Sequence, residues 1–87
     1  MNDFLQIQNK HFLVTGASGG IGSECAKLLS EFCAKITLTG RHIEKLESIA
    51  KSLKHESNVL PADISKSQDI NKLVQSCEPI DGLIHCA

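Results

Sequence analysis

The sequence of 87 residues contains no tryptophan and no tyrosine, and three phenylalanines are its whole aromatic content. Its formal net charge is only -1 at pH 7. A charge so near zero gives no broad electrostatic attraction to nucleic acid or to an acidic membrane. No stretch is long and apolar enough to span a bilayer. The first residues, Met-Asn-Asp-Phe-Leu-Gln, have neither the basic region nor the apolar core of a secretory signal. We therefore expect neither nucleic acid nor a membrane among the partners.

Cysteine is present but follows none of the patterns that mark a metal site or a disulfide framework. No two cysteines form a C-x-x-C pair, and none has a histidine at zinc-binding spacing. The positions are Cys25, Cys33, Cys77 and Cys86. We predict reduced thiols, no metal and a cytoplasmic location.

Short apolar segments alternate with segments of helical periodicity along the chain. Apolar or β-branched residues predict strands at 11–15, 34–39, 58–62 and 82–87. Between these strands, apolar residues recur at the spacing of one helix face and predict three helices. The first face is Ile21, Cys25, Leu28, Leu29 and Phe32, and the second is Ile43, Leu46, Ile49, Ala50 and Leu53. The third is Ile70, Leu73, Val74 and Cys77. Ser65 and Gln68 have the spacing of a capping box for the third helix, and Pro79 is expected to break it.

A β-α-β-α-β-α-β order requires right-handed crossovers and a parallel sheet. The predicted fold class is therefore α/β, a Rossmann-type doubly wound sheet with strand order 3-2-1-4. Its ligand crevice is expected at the switch point between the first and fourth strands. We interpret residues 1–87 as one dinucleotide-binding half-domain that is truncated after the fourth strand.

The most informative segment is the glycine-rich loop between the first strand and the first helix, Thr15-Gly16-Ala17-Ser18-Gly19-Gly20-Ile21-Gly22. A phosphate at this point meets the amide groups and positive dipole of a helix start. A glycine cluster alone is more often a plain turn, but a strand before it and a helix after it favour binding. A nucleoside-triphosphate loop is excluded, because its lysine is missing. The predicted cofactor-binding residues here are Gly16, Ser18, Gly19, Gly20, Ile21 and Gly22.

The eight residues from Thr15 to Gly22 resemble the T-G-x-x-x-G-I-G signature of short-chain dehydrogenases/reductases. The resemblance extends from about Lys10 to Ala87. It implies a nicotinamide dinucleotide cofactor and an oxidoreductase. By analogy with the dinucleotide fingerprint, Gly16 makes the tight turn, Gly20 admits the pyrophosphate and Gly22 packs the helix on its strand.

The first helix departs from the family at Cys33, which stands where a closing glycine is usual. Either a cysteine in the left-handed conformation caps the helix or the helix ends differently.

The residues after the second strand predict the choice between NADP and NAD. An acidic residue there would bond the ribose 2′-hydroxyl and repel a 2′-phosphate. This chain has Thr39-Gly40-Arg41-His42 instead, and the fork of Arg41 suits a phosphate. The alternative is that Arg41 is a solvated charge. In the family a basic residue here accompanies NADP, so we predict NADP (NADPH) over NAD.

Two further segments resemble parts of the family's cofactor site. Asp63 and Ile64 resemble its acidic–aliphatic pair around the adenine, although Asp63 could instead help to start the following helix. The fourth strand ends in His85-Cys86-Ala87 where the family has N-N-A-G. This departure leaves only backbone contacts from Cys86 and Ala87, and His85 is expected to make a structural hydrogen bond.

The resemblance implies that the catalytic residues of the family, a serine, a Tyr-x-x-x-Lys pair and an asparagine, all come after the fourth strand. The sequence has no tyrosine, so we assign no catalytic residue and expect no activity from the chain alone. The first hypothesis is the amino-terminal NADP-binding fragment of an oxidoreductase, nearest in its loop to 3-oxoacyl-acyl-carrier-protein reductase. The alternatives are a non-catalytic dinucleotide-binding module and a truncated product without a folded role. An uncovered fourth strand would favour self-association or pairing with a complementary chain.

Overall fold

The computed structural model describes residues 8–17, 19–54 and 56–86, within which strands and helices alternate. The strands are β1 (His11–Thr15), β2 (Lys35–Thr39), β3 (Ser57–Val59) and β4 (Gly82–His85). The helices are α1 (Gly20–Glu31), α2 (Ile43–Ser52) and α3 (Ser67–Ser76). Among these residues no helix is long and apolar enough to cross a membrane.

The four strands form one parallel sheet in the order β3-β2-β1-β4. Thr15 pairs with Thr39 of β2 on one side and with His85 of β4 on the other. The α/β class, the parallel pairing and the strand order are confirmed. The carboxyl ends of β1, β2 and β4 consequently meet at one edge of the sheet.

The two faces of the sheet are covered unequally. One face packs against α1 and α2 and holds most of the buried side chains: Val14, Ala17, Ala26, Ala34, Ile36, Leu38 and Leu46. On the other face α3 contributes Leu73, which packs with Leu13 and Ala62. This second face also carries buried polar side chains, because His11, Thr15, Thr37 and Thr39 alternate with the residues of the first face.

The predicted apolar stripe of α1 is only partly correct. Ile21 and Leu28 are 77% and 54% exposed, whereas the buried positions of the helix are Gly22, Ala26 and Ser30. A β-carbon on Gly22 would lie 2.5 Å from the Gly16 carbonyl oxygen. The helix therefore lies too close to the preceding loop for large side chains, and small residues form its inner face.

Three local predictions differ from the structure. β3 ends at Val59 rather than at residue 62, and β4 ends at His85. The capping box is wrong: Lys66 is the N-cap of α3 and makes no side-chain cap bond, while the Ser65 hydroxyl donates to Asp63 Oδ1 at 2.6 Å. The end of this helix agrees with the prediction, since α3 ends at Ser76, shortly before Pro79. An Asx-type turn at Asp63 replaces the capping box, because its carboxylate competes for the same donors.

The end of α1 shows how the chain manages without the usual glycine. Cys33 has φ +64°, the left-handed conformation, so the first of the two alternatives at this position is the correct one. The Cys33 amide donates to the Ser30 carbonyl and the Ala34 amide donates to the Leu29 carbonyl. This pair of bonds is the Schellman motif.

A buried histidine, which the sequence analysis did not single out, joins the strands at the opposite edge of the sheet. His11 Nδ1 lies 2.9 Å from the Pro79 carbonyl oxygen, which only accepts, so Nδ1 carries the proton. In the tautomer that carries its proton on Nδ1, Nε2 accepts from the Thr37 hydroxyl at 2.6 Å. The His11 amide donates to Asp81 Oδ2 at 2.8 Å. His11 thus ties β1 to β2 and to the segment that enters β4.

Candidate functional site

A cleft of about 320 Å³ opens at the carboxyl edge of the sheet, beside the start of α1. Segments that are far apart in sequence form its walls: the glycine loop after β1, and the residues after β2, β3 and β4. Its lining residues are Gly16, Gly19, Gly40, Arg41, His42, Ala62, Asp63, Ile64 and Cys86.

The cleft brings together most of the residues predicted to bind a cofactor. Six of them line it: Gly16, Gly19, Arg41, Asp63, Ile64 and Cys86. Gly20, Ile21 and Gly22 form the first turn of α1 beside the cleft rather than its wall. Ser18 and Ala87 lie outside the residues that the structure describes.

The fold requires glycine at some positions of the loop and not at others. Gly16 has φ +66°, and a β-carbon there would collide with the Cys86 carbonyl group. Gly22 lies against the backbone of Gly16 and Ala17. Gly20 is different, because a β-carbon on it would have no described atom within 4 Å. Gly16 and Gly22 are therefore required for packing, whereas the fold places no such demand on Gly20.

The start of α1 suits a negatively charged ligand. Gly19 is the N-cap and provides no side-chain bond to the amides of the first turn, which also contains no acidic residue. The Ser23 amide donates to the Gly19 carbonyl at 3.0 Å and so begins the intrahelical bonds. The preceding amides of the helix lie before that first bond, at the positive end of the helix dipole.

At its other end the cleft is lined by the acidic side chain of Asp63 and the basic side chain of Arg41. Hydrogen bonds from the Ser65 hydroxyl and then the Ser65 amide lower the pKa of Asp63. Desolvation opposes this shift, and the positive charges of Arg41 and Lys66 lower the pKa further. An adjoining hollow of about 330 Å³ is shared by Arg41, Asp63 and Lys66. Asp63 is accordingly a carboxylate at neutral pH, next to cationic groups that are open to solvent.

Asp63 also has the local role that was the alternative to adenine binding. Its Oδ1 accepts bonds from the amide and hydroxyl of Ser65, at 3.0 and 2.6 Å, in the turn before α3. Its amide donates to Asp69 Oδ2 in the first turn of that helix, at 2.8 Å. These bonds do not use Asp63 Oδ2. The residue can therefore shape the turn with one oxygen and leave the other for a ligand.

A hydroxyl and a histidine lie behind the cleft where β1 and β4 end. Thr15 Oγ1 is 2.7 Å from His85 Nδ1, so His85 makes a structural hydrogen bond. Within the described residues, no group of three potential metal ligands converges.

Sequence reasoning missed His42 and Ala62, and noted Gly40 without naming it as a site residue. Ala62 lies here because its amide donates to the Gly40 carbonyl at 2.9 Å, beyond the assigned end of β3. One signal could have found these residues, namely their position directly after strands that end at the same edge.

Comparisons with known proteins agree with this geometry. The family model for short chain dehydrogenase matches residues 10–87. An uncharacterized oxidoreductase of Listeria monocytogenes is 42% identical over 74 residues, which are 82% of this chain and 30% of the relative. The crystal structure of a short chain dehydrogenase from Bacillus anthracis aligns with a TM-score of 0.85 and 27% identity, over 93% of this chain and 36% of that one.

A metagenomic short-chain oxidoreductase in complex with NADP aligns with a TM-score of 0.76 and 30% identity, over 79% of this chain and 33% of that one. The chain thus spans about a third of the length of these relatives. The match to the family model covers nearly all of the sequence, and the fold has the strand order predicted for it. The chain therefore belongs to the short-chain dehydrogenase family.

Proposed function

We propose that the cleft binds a nicotinamide dinucleotide, with NADP (NADPH) preferred over NAD, as the cofactor site of an oxidoreductase. The observation that carries the proposal is the convergence on one cleft of the glycine loop, Arg41, Asp63 and Cys86. These groups follow the ends of four different strands. They supply a helix start, a guanidinium and a carboxylate, which would suit the pyrophosphate, the 2′-phosphate and the adenine of one dinucleotide.

The pyrophosphate is assigned to the start of α1. The open space around Gly20 admits it to the helix without a side chain in the way. Amides of the first turn would donate to its oxygens, and the helix dipole would stabilise its charge. The cleft is lined by Gly19 on this side, so the ligand can continue from the loop towards β2.

The preference for NADP depends on the residues after β2. Thr39-Gly40-Arg41-His42 contains no carboxylate that would bond a free 2′-hydroxyl. Arg41 is exposed and lines the cleft, where its planar fork can donate two bonds to a 2′-phosphate. The NADP complex of the metagenomic relative supports a site of this kind in a protein of the same fold.

The adenine is assigned to the wall formed after β3. Asp63 Oδ2 would accept a hydrogen bond from the adenine amino group, and Ile64, which is 40% exposed, would pack against the ring. Cys86 would contribute backbone contacts on the other wall. In this arrangement Ser18 and Ala87 keep their predicted roles as additional contacts.

Titration of the purified protein with NADPH and NADH, followed by nucleotide fluorescence, tests the proposal. We expect both to saturate and NADPH to bind more tightly. Arg41→Ala should weaken NADPH by about tenfold and change NADH little, which corresponds to one charge-assisted contact of about 1.5 kcal/mol. Lys51→Ala is the matched control, because it removes a positive charge from the exposed far end of α2.

Three results would count against the proposal. A folded protein that binds neither nucleotide would refute the cofactor site. Tighter binding of NADH would refute the preference for NADP. Equal losses of both nucleotides in Arg41→Ala would make Arg41 a structural residue rather than a phosphate ligand.

The reaction is proposed from the family and from the loop sequence. The chain would serve a carbonyl or hydroxyl oxidoreductase, nearest in its loop to a 3-oxoacyl-acyl-carrier-protein reductase, in a reducing compartment such as the cytoplasm. It has no tyrosine to supply the proton, so we expect these 87 residues to bind NADPH without oxidising it when a 3-oxoacyl thioester is added. Turnover by the purified chain would instead favour an unrecognised catalytic group.

The exposed edge of β4 is proposed to pair with the edge of a second copy. Among the described residues β4 pairs with β1 alone, and Leu83 is 56% exposed. The strand, Gly-Leu-Ile-His, has none of the lysines or prolines that usually protect an edge. Sedimentation should show a concentration-dependent dimer that Leu83→Lys abolishes; a monomer at all concentrations would refute the pairing.

A further inference from the structure

A second basic side chain, that of Lys66, lines the same hollow as Arg41. The hollow has a volume of about 330 Å³ and adjoins the cleft, and four of its seven lining residues carry a charge: Arg41, Asp63, Lys66 and Asp69. Arg41 and Asp63 line the cleft as well, whereas Lys66 lines the hollow and not the cleft. Arg41 follows β2 and Lys66 comes just before α3, so the two cations reach one space from different parts of the fold.

Backbone hydrogen bonds hold the segment that carries Lys66 in place beside β2. The Ala62 amide donates to the Gly40 carbonyl at 2.9 Å, which joins the residues after β3 to those after β2. The Lys66 amide donates to the Asp63 carbonyl at 2.9 Å. The Asp63 amide donates to Asp69 Oδ2 at 2.8 Å. The backbone of Lys66 is therefore fixed relative to the loop that carries Arg41.

The side chains of Arg41 and Lys66 are both exposed to solvent. Within the residues that the structure describes, the one ion pair lies in α1 and involves neither of them. Both positive charges act on Asp63, whose pKa is lowered most by its hydrogen bonds with Ser65 and further by these two cations. The guanidinium and the ammonium group are thus close to the same carboxylate and remain available to an anionic ligand.

We propose that Lys66 is a second specificity-determining residue, which holds the 2′-phosphate of NADPH together with Arg41. The inference rests on the proposed cofactor site and deepens it, because it assigns one more residue to the same ligand. The phosphate would lie where the cleft and the hollow meet, beside Arg41, which lines both. Lysine binds phosphate as a point charge on a flexible stem, so Lys66 can approach from the hollow while Arg41 provides the planar fork.

The charges around the hollow explain why Arg41 alone is insufficient. Asp63 and Asp69 each bring a carboxylate to its wall. A phosphate monoester carries a charge of about -1.5 to -2 at pH 7, and with Arg41 alone it would meet one positive and two negative side chains. Lys66 brings the sum of these side chains to zero and adds an ammonium group that can donate to the phosphate oxygens. NADH has an uncharged hydroxyl at this position, so Lys66 should affect its binding little.

Calorimetric titration with nucleotides that differ in the 2′-phosphate tests the proposal. The probes are NADPH and NADH, together with their fragments adenosine 2′,5′-bisphosphate and 5′-AMP. We expect Lys66→Gln to weaken NADPH and the bisphosphate by about threefold to tenfold, as for one charge-assisted contact open to solvent. NADH and 5′-AMP should change by less than about twofold, because they present no charge at the 2′ position. The loss should become smaller as salt is added, since ions screen an exposed contact.

Further variants separate the charge of Lys66 from its place at the start of α3. Lys66 is the N-cap of this helix. Lys66→Ser removes the charge and introduces a residue that is favoured at an N-cap, so it should keep the fold and still show the selective loss. Lys66→Arg should retain most of the preference for NADPH. The double variant Arg41→Ala/Lys66→Gln should bind NADPH no more tightly than NADH.

Lys72→Gln is the matched control. Lys72 is an exposed lysine of the same helix, and it lines neither the cleft nor the hollow. This variant removes the same charge from the protein and should leave the affinities of the four nucleotides unchanged.

Two outcomes would overturn the assignment of Lys66. One is an equal effect of Lys66→Gln and Lys72→Gln on NADPH, and the other is a loss of NADH and 5′-AMP as large as that of the 2′-phosphorylated nucleotides. A selective loss of NADPH in Arg41→Ala would still support the cofactor site in either case, so the two proposals can fail separately. A folded wild-type chain that binds none of the four nucleotides would refute both.

Discussion

Gly16 and the Cys86 carbonyl group are in direct backbone contact, and a β-carbon on Gly16 would occupy the position of that oxygen. Gly16 also has φ +66°, a conformation that favours glycine. The contact joins the turn after β1 to the end of β4, so the wall of the cleft depends on the absence of one side chain. It also explains why the glycine loop and the fourth strand form one site.

Gly16→Ala should destabilise the protein by about 3 kcal/mol or more, because positive φ and a clash with fixed backbone act together. The measurement is urea unfolding followed by circular dichroism. An alanine variant as stable as the wild type would show that the turn and Cys86 can move apart.

Gly20→Ala is the matched substitution in the same loop. A β-carbon there meets no described atom within 4 Å, and alanine favours a helix over glycine by up to about 1 kcal/mol. We expect unchanged or slightly higher stability but weaker NADPH binding, because the methyl group would hold the pyrophosphate away from the helix. Unchanged affinity would place the phosphates elsewhere.

Thr39→Val should stabilise the protein by about 1 kcal/mol. Thr39 is fully buried, and its Oγ1 has no hydrogen-bond partner among the described residues. Valine has nearly the same shape and removes the cost of an unsatisfied hydroxyl. Thermal unfolding of the variant measures the gain; a loss of stability would reveal a partner for the hydroxyl, such as a buried water.

Thr37→Val is its control on the same strand. The Thr37 hydroxyl bonds to His11 Nε2 at 2.6 Å, so valine would leave a buried ring nitrogen without a donor. We expect a destabilisation of about 1–3 kcal/mol. Equal effects at both positions would show that the His11 contact does not distinguish them.

Cys33→Gly should raise stability by about 1 kcal/mol, because a left-handed conformation costs an L-residue more than the added chain entropy of glycine. Chemical denaturation of the reduced protein checks this value. Cys33→Ala serves as the control, since it removes the thiol and keeps the strain. If alanine gains as much as glycine, the thiol and not the backbone is the cause.

Local sequence patterns were sufficient for the order of the elements but not for their packing. β1 has the predicted bounds, since four apolar or β-branched residues follow His11 and run directly into glycine. The same reasoning failed for α1, where Ile21 and Leu28 are exposed, because periodicity cannot show which side of a helix lies close to a loop. It failed for the capping box because Asp63 competes for Ser65.

By itself, the sequence determined the alternation of strands and helices, the parallel sheet and the position of the glycine loop, since these follow from short-range periodicity and chain handedness. Only the tertiary structure decided which residues share the cleft. Arg41, Asp63 and Cys86 follow three different strands, and the register of parallel strands brings their ends to one edge. The meeting of His11 with Thr37 was likewise decided there, because contacts between distant segments depend on packing that no local pattern records.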